Sequence, residues 1–372
     1  MLEQKIRERR QTLEEFVASA EQFARENGEA GTLGMRHLQR LVSGRGPNGR
    51  PLGPVRPATA RLLEHMLDTS VEELLAPTTP AEPGGDSTSE LLQMLHLSRK
   101  VDEGVVRLLR DQLTAIRHLD RQLGAVIAHE EVCMKAEQVS AFLSHSPPGE
   151  VRAQLATLLS ELRTLAGWQA LDLGCPVKSW QHYETAKRAA RESENEAFEI
   201  HTTGEQSFVL LDIGETTQAV ELLAAARSRA ATKVPKVLRA WLEAARGEAL
   251  ASDGQLVKSL QAFDTADSLL SQSSYSVGGP YIALNHTHLA RWRGHALAQL
   301  RVPGALDVLS SSLRDLDPSF VRATTALRVD LATAHSTAGD RENAAHEMNK
   351  ANELARSIGS KRQQRRIAAL QN

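Results

Sequence analysis

A cluster of polar side chains around position 290 carries the densest set of groups suited to ligand binding. Asn285-His-Thr-His288 is followed by Arg291 and His295, and His288 and His295 are seven residues apart, on one helical face. A metal site would need a further ligand four residues after His288, but Trp292 occupies that position. These residue types therefore favour recognition of an anion or carboxylate over metal binding. The alternative is a set of ordinary surface histidines.

A run of arginines near the N-terminus forms the second group of candidates. Between Leu33 and Met66 there are six arginines and a single acidic residue, Glu64. Arginine suits bidentate contacts to guanine or phosphate, and Gln39 on the same helix suits adenine. The predicted DNA-contacting residues are Arg36, His37, Gln39, Arg40, Arg45, Arg50 and Arg56. The alternative is a solvated helix face with ordinary arginines.

Motifs that would indicate catalysis are missing from the sequence. It contains no GxSxG, no P-loop and no dinucleotide-binding fingerprint, and the Glu130-Glu131 pair is most simply a solvated helix face. Only Cys133 and Cys175 occur, which favours a reduced cytosol and structural roles for both. We therefore expect a cytoplasmic protein that is not an enzyme and uses no cofactor or metal.

A recurring spacing predicts the elements that position the polar cluster. A small residue is followed at +7 by Gly, at +12 by a small residue, at +16 by a large apolar residue and at +19 by Ala. This predicts two antiparallel helices joined at the Gly, with the +16 residue filling the gap to the next hairpin. The frame begins at Gly167, Ser207, Gly247 and Ala332, and again at Gly294 if one residue is deleted in its turn.

The spacing resembles the tetratricopeptide repeat over residues 151–359, although the turn glycines are about 40 residues apart and the usual period is about 34. The resemblance implies a right-handed α-solenoid whose first helices line a concave groove. The predicted groove residues are Trp168, Asp172, His201, Phe208, Asp212, Trp241, Glu248, His288, Arg291, His295 and Gln299. Such a mixture suits a peptide or a polar small molecule. The alternative is that Trp168 and Trp241 only fill gaps between repeats.

The N-terminal segment carries a second resemblance. Thr12 and Glu15 have capping-box spacing, Gly28 is a plausible C-cap, and a second helix is predicted from Thr32 to Gly44. Thr12-Leu-Glu-Glu-Phe16, the helix ending in Gly44, and the Pro57-initiated helix followed by Ser70-Val-Glu-Glu-Leu-Leu75 resemble the helix-turn-helix domain of the Xre-type class. Actinobacterial regulators that pair this domain with tetratricopeptide-like repeats are similar along the whole chain, including the phrase Leu165-Ala-Gly-Trp-Gln-Ala-Leu-Asp-Leu-Gly174.

The amino-acid composition predicts an all-α chain, and the interruptions of the helical pattern predict its division into domains and linkers. Ala and Leu dominate the 41% of hydrophobic residues, and no stretch is apolar enough to span a membrane. We predict a helix-turn-helix domain at 1–75, a flexible linker at 76–89 and a helical connector or dimerisation segment at 90–150. Tetratricopeptide-like repeats follow at 151–359, and a C-terminal capping helix or tail at 360–372.

Two segments leave alternatives open. The apolar stripe of the connector, from Val105 to Leu123, either packs on the next helix or forms a dimer seam. The basic tail after Ala351 is either a capping helix or a second contact for DNA or a partner.

These features together predict a transcription regulator. We expect it to bind double-stranded DNA, to form a homodimer, and to respond to a peptide or small-molecule effector through its repeats. The alternative is a tetratricopeptide-type scaffold that binds a protein partner and no DNA.

Overall fold

The computed structural model describes residues 2, 5–6, 9, 11–30, 32–43, 55–67, 69–75, 85–231, 233–273 and 279–371. Within these ranges the chain is helical and contains no strand, which confirms the all-α prediction. The chain divides into two compact units, Met1–Leu92 and Gln93–Asn372. No helix in the described ranges has the length and apolar character needed to cross a membrane.

Unit 1 contains α1 (Leu13–Asn27), α2 (Met35–Ser43), α3 (Pro57–Leu67) and α4 (Val71–Leu75). The predicted capping box is present at the start of α1, and Gly28 ends this helix with a φ of 64°. The second helix begins later than predicted, at Met35, because Gly34 rather than Thr32 supplies its first accepting carbonyl. The buried side chains of these helices form one apolar core, which includes Phe16, Leu38, Leu41, Leu62 and Leu63.

The boundary between the units falls within α5 (Gly85–Ser98). The predicted linker at 76–89 lies outside the described residues up to position 84, and the rest of it begins this helix. The remaining helices of unit 2 are α6 (Glu103–Leu123), α7 (Ala125–His145), α8 (Glu150–Asp172), α9 (Pro176–Glu192), α10 (Glu196–Asp212), α11 (Thr216–Ala230), α12 (Lys236–Ser252), α13 (Leu256–Ser271), α14 (His286–Gln299), α15 (Ala305–Asp315), α16 (Val321–Thr337), α17 (Arg341–Ser357) and α18 (Lys361–Gln371).

The recurring glycines lie where the spacing predicts them, between the two helices of a hairpin. Gly174, Gly214, Gly254 and Gly339 have φ values of 75–89°, a conformation that glycine adopts without steric cost. In each case the residue after the glycine donates its N–H to a carbonyl five residues back, as Cys175 does to Ala170. Each of these segments therefore consists of two helices joined at the predicted glycine.

The large residue at +16 packs within its own hairpin as well as in the core, a contact that the spacing did not predict. A Cβ atom added at Gly167 would lie 2.8 Å from Tyr183, and one added at Gly247 would lie 2.8 Å from Phe263. Ser179 Oγ donates to the Gly167 carbonyl at 2.7 Å, and Ser259 Oγ donates to the Gly247 carbonyl at the same distance. The repeated small residues thus allow an aromatic ring to pack directly on the first helix.

The irregular fifth unit keeps this packing but changes its turn. A Cβ atom added at Gly294 would lie 2.6 Å from Leu309, as the frame with one deletion requires. Arg301 occupies the position of the turn glycine and has a φ of 55°. The Val302 N–H donates to the Leu297 carbonyl, the same bond that follows the other turn glycines. A non-glycine residue therefore holds the left-handed conformation here.

The two ends of unit 2 meet. Gly124, between α6 and α7, packs so closely on the α17–α18 turn that an added Cβ atom would lie 2.4 Å from the Ile358 carbonyl oxygen. Gly359 is crowded as well, because a Cβ atom added there would lie 2.8 Å from Val126. Ser360 Oγ donates to Asp172 Oδ1 at 2.6 Å. Helices from the start and the end of unit 2 are therefore in direct contact.

The structure shows where the apolar stripe of the connector and the basic tail pack. On α6, Leu109, Leu113 and Ile116 are buried, whereas Leu108, at 63% exposure, and Leu119, at 42%, are not. Part of the apolar stripe thus packs in the core of unit 2, and the rest is exposed to solvent. The basic tail forms α18, whose arginines pair with acidic residues of unit 2, as described below.

Candidate functional site

A cavity of about 300 Å³ lies inside unit 2. Every second helix from α6 to α18 contributes to its wall, together with the segment Pro280–Ala283. Each hairpin from α8 to α16 thus turns its first helix toward the cavity, and α18 adds side chains from the other end of the unit.

Aromatic side chains form one part of the wall. The ring centroid of Phe208 lies 6.1 Å from that of Trp168, 6.3 Å from that of Trp241 and 5.8 Å from that of Trp292, with the rings edge to face. This is a favoured arrangement for aromatic pairs. Trp241 also packs on the backbone, since a Cβ atom added at Gly204 would lie 2.5 Å from its ring. Packing between helices and lining the cavity are thus compatible roles for these rings.

Most of the arginines that face the cavity have carboxylate partners. Arg117 Nη2 donates to Glu161 Oε1 at 2.8 Å, and Arg362 Nε donates to Asp212 Oδ1 at 3.1 Å. Arg322 donates to both Asp120 and Asp172. Arg366 Nη2 donates to Asp330 Oδ1 at 2.5 Å.

Arg291 and Arg121 differ from the other arginines. The Nε of Arg291 is buried without a hydrogen-bond partner, and no carboxylate of the described residues lies within ion-pair distance of either guanidinium. The Arg121 guanidinium lies 4.7 Å above the Phe320 ring centroid and 5.2 Å above that of Tyr281. Burial lowers the pKa of both side chains from the usual arginine value. Two cationic groups thus reach the cavity without a carboxylate of the described residues in ion-pair contact. Glu248 and Asp330 attract Arg291 only at longer range. Asp120 and Asp317 likewise attract Arg121 only at longer range.

The pKa values of two acidic residues in the cavity, Glu205 and Asp330, are shifted in opposite directions. Burial, reinforced by the negative charge of Glu248, raises the pKa of Glu205 to about 8, against the opposing effect of Arg362. Glu205 therefore carries a proton at neutral pH. Burial alone would raise the pKa of Asp330, but His295 and Arg366 hold it well below its usual range. The His295 Nδ1 atom lies 2.7 Å from Asp330 Oδ1.

The buried histidines are neutral. Burial, with a smaller effect of Arg117, lowers the pKa of His201 to about 3. Burial, with the charges of Arg291 and Arg121, lowers the pKa of His288 to about 4. Both rings therefore act as neutral hydrogen-bonding groups at physiological pH.

The structure brings most of the predicted groove residues together. The cavity is lined by Trp168, His201, Phe208, Trp241, Glu248, His288, Arg291 and His295. Asp212 and Gln299 line a smaller adjoining cavity of about 280 Å³, which shares Glu248 and His295 with the first. Asp172 lines neither cavity, because its buried carboxylate is held by Arg322 and Ser360.

Several cavity residues were not predicted from the sequence. Trp292, which cannot serve as a metal ligand, is part of the aromatic wall. Arg362 and Arg366 belong to the basic tail, and their spacing of four residues places them on one face of α18. The four-residue spacing was the signal available in the sequence. In the structure the two arginines pair with Asp212, the last residue of α10, and with Asp330, in the middle of α16.

The predicted DNA-contacting residues lie in unit 1. Arg36, Gln39 and Arg40 are exposed on α2, His37 is half-buried, and Leu38 and Leu41 face the core. Arg56 is exposed immediately before α3. Within the described ranges, Arg36, Arg40 and Arg56 form no ion pair. Arg45 and Arg50 lie outside the described residues.

Comparison with known proteins does not assign a family. No protein-family model matches the chain, and no curated protein matches it.

Proposed function

We propose that this chain is a DNA-binding transcription regulator whose second unit binds a small anionic effector. In this proposal, unit 1 is an Xre-type helix-turn-helix domain, and unit 2 is a right-handed solenoid of tetratricopeptide-like hairpins. The observation that carries the proposal is the exposed face of α2, where Arg36, Gln39 and Arg40 stand opposite a buried apolar face.

The chemistry of α2 suits duplex DNA. Arginine side chains on one helix can reach phosphates and the O6 and N7 atoms of guanine, and glutamine can read adenine in the major groove. Because Arg36 and Arg40 have no ion pair among the described residues, no intramolecular ion pair has to break before they contact phosphate. Such contacts release counterions, so binding should weaken steeply with salt.

The cavity of unit 2 favours an anion with an aromatic or apolar body. An unpaired guanidinium in a partly desolvated site is unfavourable, so an anion that reaches Arg291 and Arg121 would relieve that cost. The rings of Trp168, Phe208 and Trp292 provide a surface for a flat apolar body. A volume of about 300 Å³ is at the lower limit for small-molecule sites and favours a small molecule over a peptide.

Effector binding would act on the helices that meet around the cavity. Arg291 belongs to α14, whereas Arg121 belongs to α6, near the start of unit 2. A ligand that engages both would favour one arrangement of these helices and so shift the population of unit 2 conformations. In a homodimer, this would change the spacing of the two DNA-reading helices. Exposed Leu91, Leu92 and Leu97 of α5 support the homodimer, because apolar side chains at an interface would be removed from water.

An electrophoretic mobility shift with the promoter of the chain's own gene tests the DNA-binding proposal. Arg40→Ala should weaken binding about tenfold, the effect of losing one specific contact. Arg25→Ala is the matched control, because Arg25 is an exposed arginine of α1 in the same unit. Wild-type affinity should fall with salt by a log–log slope of about −0.9 for each phosphate contacted.

Two results would contradict the proposal. Equal retention of the duplex by the wild type, R40A and R25A would show that α2 does not read DNA. Capture of a protein partner, without a discrete DNA footprint, would favour the alternative of a pure scaffold.

A further inference from the structure

A cluster of metal-ligating side chains lies outside the cavity, between α7 and α9. His129 and Cys133 project from α7, and His182 projects from α9. One ligand atom from each lies within 4.8 Å of the other two, and all three side chains are half-buried. His129 and Cys133 are four residues apart, so they share one face of their helix.

One pair of donor atoms has nearly the separation found in a tetrahedral zinc site. His129 Nε2 lies 3.7 Å from Cys133 Sγ. Zinc bonds of about 2.0–2.1 Å to nitrogen and about 2.3 Å to sulfur place these two donors about 3.5 Å apart. Small side-chain rotations would therefore bring this pair to the spacing found around a bound ion.

The far side of the His129 ring is already oriented. His129 Nδ1 lies 3.3 Å from Gln169 Oε1, and Gln169 Nε2 donates to Asp120 Oδ1 at 2.9 Å. Because the Gln169 oxygen can only accept, Nδ1 carries the proton and Nε2 presents its lone pair toward Cys133. A hydrogen bond from the second ring nitrogen to an acceptor is the usual support of a metal-binding histidine.

Arg163 is the main opposing group. Its Nη1 lies 3.4 Å from His182 Nδ1, which is long for a hydrogen bond, while its Nη2 donates to Glu137 at 2.6 Å. The Glu137 carboxylate offsets part of the guanidinium charge. A thiolate at Cys133 would offset one charge of a divalent cation. The site would therefore bind a cation next to a paired arginine and within the longer-range field of Lys178, which acts on all three ligands.

We propose that His129, Cys133 and His182 form a binding site for Zn²⁺, with water as the remaining ligand. Two imidazoles and one thiolate are a donor set that suits this ion. The bound ion would join α7 to α9, which are separated in the chain by α8. The site would stabilise this end of unit 2, and it is independent of the function proposed above.

Metal titration of the full-length protein, after removal of metal with a chelator, tests this site. Zn²⁺ is added in competition with a chromophoric chelator, and Co²⁺ is used as a spectroscopic substitute. The wild type should bind one Zn²⁺ per chain, show a thiolate-to-cobalt charge-transfer band and unfold at a higher temperature with Zn²⁺. Cys133→Ser and His182→Gln should each weaken Zn²⁺ binding about 100-fold or more. Loss of a residue that only supports a metal ligand weakens binding by up to about 100-fold, and loss of a ligand itself should cost at least as much.

Cys175→Ser is the matched control, because Cys175 is the other cysteine and is exposed. This variant should bind Zn²⁺ as the wild type does and keep the cobalt band. Unchanged Zn²⁺ affinity in folded C133S or H182Q would overturn the proposal, as would a wild type that binds no Zn²⁺. If neither variant folds, the cobalt spectrum of the wild type decides, since absence of the thiolate band excludes Cys133 as a ligand.

Discussion

Arg322 and Asp120 form a two-point ion pair across 202 residues of sequence: Nη1 donates to Oδ2 at 2.9 Å and Nη2 donates to Oδ1 at 2.7 Å. The Nε of Arg322 donates to Asp172 Oδ2 at 3.1 Å. Burial alone would lower the pKa of Arg322, but the two carboxylates raise it above its ordinary value. This network joins α6, α8 and α16, so it holds the two ends of unit 2 together.

Arg322→Ala should therefore destabilise the protein strongly. The substitution leaves Asp120 and Asp172 buried without their cation, and loss of one partner from a buried pair costs about 3–5 kcal/mol. Denaturant unfolding followed by circular dichroism measures this loss. Arg107→Ala is the control, because Arg107 and its partner Glu103 are largely exposed, and it should cost under about 0.5 kcal/mol. Similar losses for the two variants would show that the network does not hold the unit together.

Arg291→Met should have opposite effects on stability and on ligand binding. Removing a buried guanidinium that has no carboxylate of the described residues in ion-pair contact should leave the free energy of unfolding unchanged or raise it by about 1 kcal/mol, because the desolvation cost outweighs the longer-range attraction of Glu248 and Asp330. Binding of an aromatic anion such as anilinonaphthalene sulfonate, followed by fluorescence, should weaken about tenfold or more, since a charged hydrogen bond contributes about 1.5–3 kcal/mol.

The neighbouring Arg293 provides the control for that experiment. It lies on the same helix, pairs with Asp264 at 2.7 Å and does not line the cavity. Arg293→Met should bind the probe as the wild type does. If R291M and R293M bound the probe equally, the anion site would not be at Arg291.

The parts of the fold that depend on local rules were predictable from the sequence. Thr12, Gly28 and the turn glycines are determined by backbone geometry within a few residues, and all lie at the predicted helix ends. The periodicity also places the first helix of each hairpin toward a common cavity, so that eight of the predicted groove residues line it.

The contacts between distant segments were not predictable in this way. Asp172 shares a helix face with groove residues, and no pattern in the sequence indicates that Arg322, 150 residues later, removes it from the groove. The approach of α18 to α10 depends on the summed rotation of the intervening hairpins, which a single repeat does not specify. Cys133 and His182 likewise meet only because α7 and α9 lie on the same side of α8.

Stability should fall as pH rises through the range of Glu205. Burial and the neighbouring Glu248 raise its pKa from 4.5 to about 8, so the folded state holds a proton that the unfolded state has already released. This contribution is complete below about pH 4.5 and is lost progressively up to about pH 8. Because 18% of the side chain reaches solvent, we expect a loss of about 2 kcal/mol rather than the full effect.

Glu205→Gln isolates this effect from other titrations. The amide cannot ionise, so the difference in unfolding free energy between variant and wild type should increase in favour of the variant from pH 5 to pH 8. Denaturant unfolding at several pH values measures that difference. A difference that stays constant with pH would mean that Glu205 does not hold its proton in the folded protein.

Arg301→Gly should stabilise the protein, although it removes a side chain. Arg301 has a φ of 55° at the turn between α14 and α15, where the other hairpins carry glycine. A left-handed conformation costs a non-glycine residue about 1–2 kcal/mol, and substitution by glycine removes this cost. Part of the gain is lost because glycine has greater conformational freedom in the unfolded chain. We expect a net gain of about 0.5–1 kcal/mol in the free energy of unfolding, measured by thermal or denaturant unfolding.

Gly254→Ala, with a φ of 75° and open space around its Cα atom, is the reciprocal control and should destabilise by a similar amount. Loss of stability in R301G would show that the arginine side chain contributes more to this turn than its backbone conformation costs.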